Sequence, residues 1–211
     1  MLTLRRSLLA VTFLSSLLGL ATANALSFDT LTEPFTGTDS AVLVTLSEEG
    51  GDIRVTATVT LGIADLRAVY LNIGDNSLLS GLSVTGDDVT DYEFAAHGVI
   101  DMGQGANLNG GGTPCPCDIG VEIGTPGIGK DDFQTTTFLL HGLTPLSLSD
   151  FTDQLVGVRI TSVGPDADSR GGSAKLVGTF PDTVPVPEPS PAILTAMGLS
   201  VLAVASRRLR S

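Results

Sequence analysis

His97 and His141 are the only histidines, each a candidate catalytic base near neutral pH, and Cys115 and Cys117 are the only thiols. A hydroxyl nucleophile needs an imidazole beside it. No Gly-X-Ser-X-Gly elbow announces such a pairing, and the two histidines fall on separate expected strands. The sequence therefore assigns no catalytic residue and reads as non-enzymatic, with a secreted hydrolase using His97 or His141 as the minor alternative. One residue separates the cysteines. That spacing admits a local disulfide, a bridge between copies, or a metal or redox site. Two thiols are too few for structural zinc unless His97 or His141 joins them, and a redox motif wants two intervening residues at a helix start. The local Cys115–Cys117 disulfide is the leading expectation, and no metal site is assigned.

The acidic groups Asp87-Asp88, Asp131-Asp132 and Asp166-Ala167-Asp168 lie in expected turns. Calcium takes several oxygen ligands at such places, but none of the three has EF-hand spacing. Solvated turns are the leading reading, and a calcium-stabilised binding or adhesion module is the alternative. The Gly110-Gly111-Gly112 run lacks the Lys-Ser or Lys-Thr of a phosphate loop and reads as a hinge.

Strands must position these residues. Ile53, Val55, Ala57 and Val59 alternate with Arg54, Thr56, Thr58 and Thr60, a half-buried strand with a threonine-rich outer face. Residues 41–47 form an earlier strand, joined to it by the turn 48–52. Further strands are expected at 66–73, at Leu82 and Val84, at 93–100 with a break at Gly98, at 119–123, 133–140, 155–163 and 174–180. Residues 101–117 read as a loop, because glycine and asparagine permit positive φ and proline cannot donate to a ladder. Residues 147–154 suit one or two helical turns, capped by Ser147 or Ser149. Eight or nine short strands without a strand–helix rhythm predict an all-β fold, an antiparallel β-sandwich, with a barrel as the alternative.

The body, residues 26–183, has the length of one domain with a sizeable core. It carries six basic side chains against 22 acidic ones, a net charge of −16. Nucleic-acid binding is disfavoured, since phosphate contacts need lysine and arginine. Tryptophan is missing and only Tyr70 and Tyr92 occur, so a lectin site built on stacked aromatic rings has little to draw on.

The ends carry addresses. Arg5 and Arg6 precede an apolar stretch, and Ala23-Asn24-Ala25 offers the small residues of a signal peptidase site, leaving Leu26 as the mature first residue. Residues 1–25 are thus expected to be a signal peptide. At the other end, Val186, Pro187, Glu188, Pro189 and Ser190 precede an uncharged segment, 191–205, and then Arg207, Arg208 and Arg210. An apolar segment closed by arginines acts as a stop-transfer signal, with the basic tail held in the cytoplasm. Its length as a helix is roughly 22 Å against a hydrocarbon core of about 30 Å, which suits a temporary anchor.

That order of Pro-Glu-Pro motif, transmembrane helix and arginine tail resembles the PEP-CTERM sorting domain, over residues 184–211. Pro191, directly after the motif serine, departs from the usual pattern. The resemblance implies handling by an exosortase in a Gram-negative bacterium that makes exopolysaccharide. It also implies passage through the inner membrane to the cell surface or the biofilm matrix. The sequence thus predicts an exported surface or matrix protein, with signal peptidase and exosortase as processing partners and exopolysaccharide as the companion polymer. No cofactor is expected, calcium aside.

Overall fold

The computed structural model describes residues 26–112, 115–126 and 132–184. Ten strands run in the order β1 Ser27–Gly37, β2 Ala41–Glu49, β3 Asp52–Leu61, β4 Ile63–Leu71, β5 Ser83–Thr85, β6 Val89–Val99, β7 Cys117–Ile123, β8 Thr135–His141, β9 Leu155–Gly164 and β10 Gly172–Thr179. Short 3-10 turns occupy Asn76–Gly81 and Leu148–Phe151. In the second, the Asp150 carboxylate accepts the Ser147 N–H at 2.9 Å, satisfying a donor that a helix start leaves orphaned.

Every pairing between these strands is antiparallel, and together they make one sheet ordered β5-β8-β3-β2-β1-β10-β9-β4-β7-β6. The expected all-β, antiparallel class holds. The expected pair of separate sandwich sheets does not, because β1 belongs to both halves. Its residues Ser27 to Thr32 pair with β2, and from Glu33 to Gly37 it pairs with β10 across an irregularity between Pro34 and Thr36. The continuous sheet curls until it is nearly closed as a barrel. The arcs are also stitched beside the β3–β4 connection, where Val59 N–H donates to the Gln134 carbonyl at 2.9 Å and Leu66 N–H to the Phe133 carbonyl at 3.0 Å.

Strand alternation sends one side chain in two into a single core. Val42, Val44 and Leu46 of β2, Ile53, Val55 and Ala57 of β3, Ile119, Val121 and Ile123 of β7, and Val156, Val158 and Ile160 of β9 are all fully buried. The β1 strand escapes a reading by hydrophobic alternation because two of its inward positions are Thr30 and Thr32. Their hydroxyls satisfy themselves on main-chain carbonyls, Thr32 on Val42 at 2.9 Å and Thr30 on Thr179 at 3.3 Å. A buried hydroxyl so paired costs little, which lets threonine stand where valine is expected.

Among the described residues no helix is long and apolar enough to cross a membrane. The segment 191–205 lies outside the described residues. So do Ala23 and Ala25 of the cleavage site, the motif Val186 to Ser190, and Arg207, Arg208 and Arg210; Leu26 is the first residue described.

Phe28 anchors the first half of β1, fully buried and stacked on Phe180 with ring centroids 6.1 Å apart. Phe28→Ala is expected to cost about 3–5 kcal/mol, the usual range for truncating a buried aromatic ring. Chemical denaturation would show this as a lowered midpoint with a single transition for both half-sheets.

Candidate functional site

Three clusters of polar side chains stand out, and sequence reading pointed to a part of each. The first covers the outer face of β4, β7 and β9. Residues 100–112 fold back over this face, and together with Cys115 and Cys117 they enclose a second small core. That core holds Ala68, Tyr70, Val99, Ala106, Leu108, Cys115 and Cys117. Two glycines make room for it. A Cβ at Gly157 would overlap the Leu108 side chain, and one at Gly120 would overlap Met102 and Val99. Cys115 and Cys117 are joined to each other, and Cys117 opens β7 instead of ending the loop.

Three side chains rising from the sheet hold this cover. The Tyr70 hydroxyl donates to the Ala106 carbonyl at 2.6 Å, Arg159 Nε donates to the Gly105 carbonyl at 3.0 Å, and Lys175 Nζ donates to Asn107 Oδ1 at 2.8 Å and to the Asn109 carbonyl. Lys175 and Arg159 face each other across the β9–β10 ladder. Two like charges in that register repel, and the loop's oxygens offset the repulsion. Burial lowers the pKa of both cations, and Arg159 depresses Lys175 further while Asp101 acts in the opposite sense. These oxygens of the loop are thus engaged by the protein's own cations. Among the described residues no group of three or more His, Cys, Asp or Glu side chains is arranged to hold a metal ion.

Beside this cover, Arg67 is 1% exposed and donates to Glu122 Oε1 at 2.9 Å and to the Ile123 carbonyl at 2.6 Å. Burial pushes the Glu122 carboxyl up, and the Arg67 guanidinium pulls it back. Neither residue was singled out from sequence, because an isolated charge within an apolar strand carries no signal of its partner.

The second cluster centres on His97, which adopts a left-handed φ of 50° in the irregular stretch of β6 between Phe94 and Val99. Buried Asp118 holds it there, accepting the His97 N–H at 2.7 Å while its other oxygen accepts the Ile73 N–H at 3.0 Å. His97 Nδ1 lies 3.2 Å from the same carboxylate, and Nε2 lies 3.3 Å from the Asn76 side-chain nitrogen. Nε2 thus meets an amide in place of a hydroxyl, and the His97–Asp118 pair is a strap between β6 and β7.

The third cluster centres on His141, at the end of β8. Its Nδ1 is 2.9 Å from Asp52 Oδ2 and its Nε2 is 2.7 Å from Thr85 Oγ1. Leu140 and Ile53 are fully buried and Val84 nearly so, and strand alternation therefore turns their neighbours His141, Asp52 and Thr85 to the outer face. The same face carries rows of hydroxyls. Thr45, Thr56 and Thr137 lie in register across β2, β3 and β8, and Thr58 stands opposite Thr135. Thr56 and Thr137 hydroxyls are 3.1 Å apart, and Thr45 donates to Asp29 at 2.7 Å.

The acidic turns serve the chain's own hydrogen bonding. Asp88 accepts the Thr136 hydroxyl at 3.0 Å, Asp132 accepts Arg170 Nη1 at 2.6 Å, and Asp166 accepts the Asp168 N–H at 3.0 Å. Asp87 sits in the turn before β6, and Asp131 lies outside the described residues. Gly110, Gly111 and Gly112 all take positive φ, so the run turns the chain within the cover. His97 and His141 stand on different strands, as expected, each with its own aspartate.

Comparison of the chain with protein-family models, with curated proteins and with solved structures finds no match. What the fold and the clusters define is a class, an antiparallel β domain nearly closed as a barrel, with a disulfide-bearing cover on one outer face and a hydroxyl-rich array on another.

Tyr70 gives the cover a pH signature. Burial pushes its phenol well above the ordinary value. The folded chain therefore keeps a proton that the unfolded chain releases near pH 10. Its contribution is complete below that pH and is lost as pH climbs toward the raised value. Tyr70→Phe removes this loss, at a cost of about 1 kcal/mol near neutrality for the missing hydrogen bond. Thermal midpoints compared on either side of about pH 10 should fall further for the native chain than for the variant.

Proposed function

We propose that this chain is an exported protein that an exosortase delivers to the cell surface or the exopolysaccharide matrix, where the β domain is the displayed part. The observation that carries the reading is the arrangement of the two ends in sequence, a signal peptide at 1–25 and the Pro-Glu-Pro motif, apolar segment and arginine tail at 184–211. The Cys115–Cys117 disulfide supports it, because such bonds persist in oxidising compartments and are rare in the cytosol. The composition supports it too, since a body charge of −16 favours solubility and disfavours nucleic acid.

Association with exopolysaccharide finds support on the outer face of β2, β3 and β8. Charged side chains on and beside that face are engaged within it: Asp29 accepts the Thr45 hydroxyl, Arg54 pairs with Glu49, and Asp52 lies 2.9 Å from His141 Nδ1. Between them the threonine rows present donors and acceptors side by side. Such a face suits a hydroxylated polymer that carries little charge.

Expression in a host with an exosortase and an exopolysaccharide locus provides the test. Intact mass of the matrix fraction should begin at Leu26 and lack Arg207, Arg208 and Arg210. Replacing Pro187, Glu188 and Pro189 together by alanine should leave the tail attached and hold the chain in the inner membrane. A full-length chain in the cytoplasm, with both cysteines reduced, would refute the reading.

A further inference from the structure

We infer that Asp52, His141 and Thr85 form an acyl-transfer site on the outer face of the sheet, a hydrolytic activity beyond display and contrary to the non-catalytic expectation drawn from sequence. A carboxylate can only accept, so in the neutral ring the proton sits on Nδ1, facing Asp52 at 2.9 Å. Nε2 is then the acceptor, and Thr85 Oγ1 at 2.7 Å is its donor. The acid orients the imidazole and the imidazole takes the hydroxyl proton, which is the recurring logic of nucleophile, base and orienting group. Three adjacent strands impose the arrangement, since β5 pairs β8 and β8 pairs β3. The Ser83↔His141 and Thr85↔Leu139 pairs set Thr85 diagonally across from the imidazole.

The reaction balances without a co-reactant other than water. Thr85 Oγ attacks the carbonyl carbon of an ester while His141 Nε2 takes its proton. The ester C–O bond breaks, His141 returns that proton to the departing alcohol, and the acyl group stays on Thr85. Water then attacks, His141 takes a proton from it and restores it to Thr85, and a carboxylic acid leaves.

The surroundings define the substrate. Thr85 is exposed at the sheet surface and stands opposite Leu139, a single half-buried apolar side chain that offers a long acyl chain little area to bury against. The group transferred is therefore small, of acetyl size. The alcohol is a polymer that lies along the neighbouring threonine rows, an O-acylated polysaccharide. That choice of polymer rests on the matrix reading above, whereas the triad does not.

Purified full chain, incubated with a fluorophosphonate, should gain one adduct, mapped by mass spectrometry to Thr85. It should hydrolyse p-nitrophenyl acetate, with the rate falling roughly hundredfold or more in Thr85→Val and in His141→Ala. Asp52→Asn should also slow it, while Thr85→Ser, which keeps a nucleophile, should retain it. Circular dichroism of each variant checks the fold, and the adduct on the native chain stands independently of any variant's folding. No adduct at Thr85, or equal rates for well-folded Thr85→Val and native chain, would overturn the site, whatever the chain's location in the cell. Hydrolysis of the small ester without acetate release from an O-acetylated polysaccharide would overturn the substrate class.

Discussion

Strand β1 changes hydrogen-bonding partner near Pro34, from β2 on one side to β10 on the other, and the continuity of the sheet depends on that exchange. Proline has no N–H to give a ladder, so an irregularity at Pro34 costs less than it would elsewhere. The strand bends there, and the bend lets ten antiparallel strands share one apolar interior. Phe28 and the two inward threonines pin its first half, and Phe35 lies against the outer cover with its second. A strand that is poor in inward hydrophobic side chains thus joins two halves that are rich in them.

The two outer faces of the curled sheet diverge in chemistry for the same geometric reason. Each strand that sends valine and isoleucine inward must send the intervening residues outward. On β4, β7 and β9 those residues include Ala68, Tyr70, Gly120 and Gly157, small or amphipathic, and a loop lies down on them. On β2, β3 and β8 they are threonines and charged side chains, with Leu43 and Leu139 among them, and the face stays open. The covered face holds its charges by desolvated contacts. For the buried Arg67–Glu122 pair, removing one partner is far costlier than the pair's net worth, because a charge would remain in a medium that solvates it poorly.

Both histidines are paired with an aspartate, and the difference between them shows how little the residue types alone decide. At His97 the second nitrogen meets an amide, and the backbone is held left-handed by a buried carboxylate. At His141 the second nitrogen meets a hydroxyl on a partly exposed surface. The first arrangement ties strands together, and the second has the geometry of a nucleophile beside its base. Asp52 reads from sequence as the last residue of a turn and Thr85 as the neighbour of a short strand's Val84. Their meeting follows from the β5–β8–β3 order, and no pattern among near neighbours in the chain reports it.

Local pattern suffices for the all-β class, for eight of the strands and for β6 with its break, and for the helical turn after Ser147. It suffices also for the acid excess. A period of two, a turn residue or a run of charge is complete within a few neighbours, so a linear reading captures it. Pairing in three dimensions is needed to learn that β1 exists and joins the halves, that residues following Val99 cover one face, and which aspartate meets which histidine. Each of these depends on register between strands distant in sequence. In β1 the usual signal is also masked, because Thr30 and Thr32 satisfy their hydroxyls on main-chain carbonyls and so occupy the core without looking hydrophobic.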